Sequence, residues 1–163
     1  MFDPTAFDNL KVVLEGAVYD LELNGELKIV NRKDLVDLAS LSRTYSIYFH
    51  SRIQMAVHAK IELSAGLEEL SGELLFKKRE RGASIQISYE GKEGCLTKNH
   101  YEYLLRSWEA REIEWLEVYS NKKPSACRAV VHFDRFITEE MIDELPALVR
   151  HLLQTLDEIP YSS

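Results

Sequence analysis

The sequence predicts an α+β fold: an antiparallel sheet built from strand pairs alternating with short helices, with a long kinked C-terminal helix. Three observations carry this. Residues 52–63 alternate for twelve positions, with Ile53, Met55, Val57, Ala59, Ile61 and Leu63 on one side and Arg52, Gln54, Ala56, His58, Lys60 and Glu62 on the other. That is the period of a strand with one face in a core and one in water. Shorter alternating stretches recur in pairs along the chain, separated by stretches with helical spacing. Strand hairpins alternating with short helices favour an antiparallel sheet over a doubly wound parallel one.

Taken in order, Asp3 and Pro4 read as the cap and first residue of a helix bearing Phe7, Leu10, Val13, Leu14, Ala17 and Val18. The helix is expected to end near Gly16. Tyr19, Leu21 and Leu23, then Asn24-Gly25, then Leu27 and Ile29 read as a hairpin, because Asn-Gly favours a type I′ turn. Asn31 reads as the cap of a helix over 32–41 whose inner face is Leu35, Leu38 and Ala39. A strand over 44–49 then leads through His50 and Ser51 into the long strand of 52–63.

Ser64 reads as the cap of a helix bearing Leu67, Leu70 and Leu74, weakened by Gly66 and Gly72. A strand over 74–78 and a charged turn follow, then a strand with Ile85, Ile87 and Tyr89 on one side. Thr97 caps a helix whose stripe is Tyr101, Leu104, Leu105 and Trp108. The strand over 112–120 is apolar on both sides, which predicts a central or covered position. Cys127, Ala129, Val131 and Phe133 mark the next strand. The last helix starts at Thr138, and Pro146 in its interior predicts a kink or two consecutive helices.

Helix starts thus fall near residues 4, 32, 65, 97 and 138, suggesting duplicated αββ units. The chain reads as one α+β domain; a two-lobed division would fall near 72–82.

Composition narrows the function. A formal net charge of -7 argues against a nucleic-acid binder, which needs a basic surface to neutralise phosphates. No stretch approaches the roughly 18 apolar residues of a membrane span, and no basic segment precedes an apolar run near Met1. The expected location is cytoplasmic, without membrane contact. Cys95 and Cys127 have no metal or redox spacing and read as reduced thiols. The seven glycines form no phosphate loop, and no zinc or nucleophile-elbow motif occurs. No cofactor is implied.

Among five histidines, His58 and His132 fall on the polar side of strands, where they could meet as a metal or acid–base pair; two solvated side chains are the plainer account. Glu62 and Asp134 would be their carboxylate partners. Lys77, Lys78, Arg79 and Arg81 read as a hairpin tip, and Trp108 and Trp115 as core. What remains is the polar side of the sheet: Tyr48, Arg52, Gln54, His58, Lys60, Ser84, Gln86, Arg128 and His132. The sequence therefore predicts a non-catalytic interaction or regulatory module, pairing with a protein partner or with itself. The alternatives are a small-molecule-binding domain using that face, or an enzyme or metalloprotein centred on His58 and His132.

Overall fold

The computed structural model describes residues 5–66, 82–92, 94–109 and 111–159. Its elements are α1 (Thr5–Leu23), β1 (Leu27–Asp37), β2 (Ser42–Ser51), β3 (Val57–Ala65), β4 (Gly82–Lys92), α2 (Lys98–Ser107), β5 (Glu112–Val118), β6 (Ala126–Thr138) and α3 (Glu144–Glu158), with a short 3₁₀ turn at Glu139–Met141 before α3. The six strands form one antiparallel sheet in the order β1-β2-β3-β4-β6-β5. This is the predicted class: a mixed α+β fold whose antiparallel sheet is interleaved with short helices and followed by a long C-terminal helix.

One face of the sheet carries the core. Val57, Ala59, Ile61 and Leu63 of β3 are buried with Tyr45, Ile47 and Phe49 of β2, Ile85, Ile87 and Tyr89 of β4, and Ala129 and Val131 of β6. Phe7, Leu10, Leu14, Val18 and Leu21 of α1 and Leu145, Val149, Leu152 and Leu156 of α3 complete the same cluster. Their spacing of three and four residues puts each set on one helix face.

The alternation that predicted a strand over 52–63 holds from Val57 onward. Residues 52–56 are the connection between β2 and β3 instead. Ile53 and Met55, expected in the core, are 54% and 66% exposed. Ser51 organises this turn: its Oγ accepts from the Ile53 and Gln54 amides and donates to Asp157 of α3.

Two further expectations are corrected near the N-terminus. The helix runs past Gly16 to Leu23, and Asn24-Gly25 ends it rather than turning a hairpin. The Glu26 amide bonds the Leu21 carbonyl at 3.0 Å and the Gly25 amide the Glu22 carbonyl at 2.9 Å. That pair of bonds is a Schellman ending, with Gly25 at φ +75°. The Glu22 carboxylate then accepts the Ile29 amide at 2.7 Å and starts β1.

Residues 32–37, expected to be helical, belong to β1. Their helix-like spacing yields to a ladder with β2 that runs from Leu27↔Ser51 to Asp37↔Ser42, with a bulge at Val30. Charges reinforce it on the helix side. Asp34 binds Lys11 of α1 at 2.6 Å and Arg43 of β2 at 2.9 Å, and Arg43 reaches Asp8 at 2.5 Å. The Arg43 hydrogen bond holds the Asp34 carboxyl below the usual carboxylate range. Helix propensity is a weak prior against such tertiary pairing. Three strands therefore follow α1, so the αββ repeat does not describe this part of the chain.

Ser64, expected to cap a helix, lies in β3 and shares a 2.7 Å hydroxyl contact with Ser84 across the ladder. The helix over 64–74 beyond Gly66, the strand over 74–78 and the basic cluster of Lys77, Lys78, Arg79 and Arg81 lie outside the described residues. β3 and β4, which flank the proposed lobe division, pair in one sheet from Val57↔Gly91 to Ser64↔Ser84.

β5 is an edge strand, not a central one. Its double apolar pattern arises because Ile113 and Trp115 face the core while Leu116 and Val118 face outward. Trp115 stacks edge-on against Tyr101 of α2, and Trp108 packs against Phe133 and His151. Pro146 sits in the first turn of α3, where its missing N–H costs no helical bond. The kinked helix is therefore the second expected form, a 3₁₀ turn followed by a separate helix.

His100 replaces the usual Glu or Gln at the third position of the capping box of α2. Its Nδ1 accepts the Thr97 amide at 3.0 Å, and its ring also bonds the Ile159 backbone at the end of α3. Burial lowers its pKa below 6.5. The folded state then binds fewer protons than the unfolded chain, so stability falls as pH drops through about 6.5, the unfolded value. Urea midpoints are expected to fall between pH 7.5 and 5.5, roughly the window above carboxylate titration. H100Q keeps the cap and should flatten that fall; an unchanged slope in H100Q would remove His100 as its source.

Candidate functional site

The sheet face opposite the helices is built by the even positions of β2, β3, β4 and β6. Register arranges them in rows across the strands. One row is Tyr48, Lys60, Ser88 and Val130; the next is His50, His58, Glu90 and Arg128; the third sets Lys92 beside Ala126. Long side chains in these rows surround short ones, Ser88 and Ala126, and the space left over is a cavity of about 620 Å³. Met55 and Ala56 of the β2–β3 connection and Cys95 before α2 close one side of it.

Of the residues singled out in the sequence, Tyr48, His58, Lys60 and Arg128 line this cavity. The structure does not bring the others to it. Arg52 and Gln54 sit in the β2–β3 connection, where the Arg52 amide donates to the Glu26 carbonyl and the Gln54 side-chain oxygen accepts the Ala56 amide. Ser84 and Gln86 lie farther along β4. His132 shares the face but stands in the row of Gln86 and Glu112, with Nε2 3.6 Å from Glu114.

The histidine pairing is therefore different from the one considered. His58 aligns with Arg128 through Glu90, and His132 lies four residues further along β6. That separates them by about 13 Å along the strand direction alone, too far to share a metal or a proton. His58 instead packs against His50, ring centroids 5.6 Å apart, and His50 Nδ1 donates to the Ser51 carbonyl at 2.9 Å. Glu62 accepts from Ser46 and pairs with Lys60. Among the described residues, no group of three or more His, Cys, Asp or Glu side chains is placed to hold a metal ion.

Among the described residues the cavity is lined by three basic side chains, Lys60, Lys92 and Arg128, and one carboxylate, Glu90. Glu90 Oε2 accepts from Arg128 Nε and Nη2 at 3.1 and 2.9 Å. Lys60 and Lys33 flank the Tyr48 ring at 5.8 and 5.7 Å, a cation–π arrangement. Lys92, Ser88, Met55, Ala126 and Cys95 were missed in the sequence. Ser88 shares the parity of Glu90, which placed it on the polar side; Lys92 joins it because β4 runs on to that residue, and the importance of Ser88 and Ala126 at the centre needs the register.

A second surface lies at the sheet edge. Among the described residues no strand pairs with the outer side of β1, and every residue from Val30 to Leu41 is exposed. Leu35, Val36, Leu38 and Leu41 are the apolar members at its far end; Val36 is 60% and Leu38 81% exposed. The opposite edge, β5, presents Glu112, Glu114 and Glu117 instead. Among the described residues neither Cys95 nor Cys127 is in a disulfide. Among the described residues no helix is long and apolar enough to cross a membrane.

Comparison with models of known protein families, with curated proteins and with solved structures finds no match to this chain.

Proposed function

We propose that this chain is a non-catalytic interaction module that takes up an extended partner segment on the open edge of β1. The observation that carries this reading is an 11-residue edge strand ending in exposed Leu35 and Val36, continued by Leu38 and Leu41. Unpaired edge groups are a template for another strand, and apolar side chains beside them supply the burial that a partner needs. The bulge at Val30 and the charged run Arg32, Lys33 and Asp34 guard the first half of the edge. Such guards suppress indiscriminate pairing and leave the 35–38 end as the place of choice.

The partner segment comes from a second copy or from another protein, and the test separates the two. Sedimentation velocity across a wide concentration range reads self-association; panning of an extended-peptide library reads a foreign strand. V36K/L38K should abolish whichever is found without lowering the melting temperature, because both side chains are solvent-exposed. A chain that stays monomeric and selects no peptide loses this reading, as does a partner that V36K/L38K still binds.

A further inference from the structure

We propose that the cavity on the polar sheet face binds a small organic dianion, with its charged head at Lys92 and Arg128 and its apolar body against Tyr48, Met55 and Ala56. The inference rests on the side-chain rows of β2, β3, β4 and β6 and not on strand pairing at the outer edge of β1.

Three features support it. The first is charge. A chain with a formal net charge of -7 gathers Lys60, Lys92 and Arg128 around one depression whose lining, among the described residues, holds one carboxylate, Glu90. Clustering of one sign in a concave surface concentrates ions of the opposite sign there. Lys60 is already engaged by Glu62 at 3.1 Å. Arg128 gives Nε and Nη2 to Glu90, and Nη1 makes no bond to that carboxylate. Among the described residues, Lys92 has no ion pair. Lys92 and the free side of Arg128 are therefore the donors for an incoming anion. They stand in adjacent rows, Lys92 beside Ala126 and Arg128 beside Glu90, on opposite strands.

The second feature is size. At about 620 Å³ the cavity exceeds an inorganic anion and falls in the range of small-molecule sites. The third is its mixed lining. Tyr48, Met55, Ala56 and Cys95 give an apolar wall next to the cations, and Ser88 adds a hydroxyl at the floor. Few convergent polar groups in a largely apolar surround are the usual composition of a ligand site. A phosphate monoester and a dicarboxylate share the head-group chemistry.

The probes are three molecules with one aromatic body: phenyl phosphate, phthalate and benzyl alcohol. Each is titrated into the full chain while backbone amide shifts are followed by NMR. The proposal expects saturable shifts at Ala56, Ser88, Lys92 and Ala126 with phenyl phosphate, phthalate or both. Which anion binds more tightly assigns the head group. K92M and R128M should each weaken binding about tenfold, the loss of one charge-assisted contact. Both variants should keep the wild-type circular dichroism, since these side chains lie at the surface. Benzyl alcohol binding as tightly as the anions would overturn the charge assignment, and so would unchanged affinity in K92M and R128M. Absence of any saturable shift, or shifts confined to other parts of the sheet, would overturn the site itself.

Discussion

Replacing Tyr89 with phenylalanine is expected to destabilise the fold by about 2–3 kcal/mol, the cost of leaving a buried donor without an acceptor. Tyr89 has no exposed surface, and its hydroxyl is the middle of a directed chain. Trp108 Nε1 donates to Tyr89 Oη at 2.8 Å, Tyr89 and Thr155 hydroxyls are 2.6 Å apart, and Thr155 Oγ1 donates to the Leu152 carbonyl at 2.6 Å. Since Thr155 spends its proton on Leu152, Tyr89 must donate to Thr155 and accept from Trp108. The chain ties the end of α2 to β4 and α3 across the core. Burial pushes the Tyr89 phenol well above its ordinary pKa, so it remains a donor at any working pH. In Y89F the Trp108 N–H faces an aromatic edge. The measurement is a urea midpoint with its slope; a loss within about 0.5 kcal/mol, the range of an ordinary surface substitution, would show that the indole finds water or another acceptor.

Gly82→Ala is expected to cost about 3 kcal/mol or more, because its added carbon meets backbone rather than side chain. A Cβ at Gly82 would lie 1.9 Å from the Ile137 carbonyl oxygen and 2.8 Å from its carbon. Both belong to the ladder that joins β4 to β6, where Gly82 faces Thr138 and Ala83 faces Ile137. Relief requires opening that end of the ladder. Gly91, on the same strand, is the control. Its Cβ would meet Leu96, Val57 and Cys95 side-chain atoms at 3.3 to 3.5 Å, which can give by a few tenths of an ångström. G91A should cost about 1 kcal/mol or less. For a chain of this size the melting temperature falls by about 2–4 °C per kcal/mol, so the two variants separate clearly in a thermal melt. Equal losses would mean that β4 and β6 part at Gly82 without penalty. Hydrogen exchange should show lost protection at Ala83 and Ile137 in G82A alone.

These two positions illustrate what a sequence conceals. Tyr89 reads as a core residue from its alternation with Ser88 and Glu90, and so it is. Nothing local says that its hydroxyl answers Trp108 and Thr155, which lie 19 and 66 residues away. The candidate site divides in the same way. Tyr48, His58, Lys60 and Arg128 were legible from parity alone, since even positions in a half-buried strand face away from the core. His132 has the same parity and fell out of the group because register places it in another row. Lys92 entered because β4 extends to it and sets it beside Ala126.

Asn24-Gly25 and residues 32–37 show where local rules divide. A glycine with positive φ serves a type I′ hairpin and a helix C-terminus equally well. The choice was made by Val18 and Leu21, which extend the buried stripe of α1 against the sheet. In β1, Leu35 and Leu38 have helical spacing, but the backbone groups of Ser42–Ser51 needed partners on that side, and Asp34 found Lys11 and Arg43.

By itself, then, the sequence determined the α+β class, the antiparallel sheet, the strands β3 from Val57, β4, β5 and β6, helix α2 and which parity faces water. Those follow from periodicity, which is local and survives any arrangement of neighbours. The fate of residues 32–37, the edge position of β5, the separation of His58 from His132 and the cavity between Lys60, Lys92 and Arg128 were decided by the tertiary structure. Each depends on strand order and register, set by backbone hydrogen bonds and burial between segments far apart in the chain.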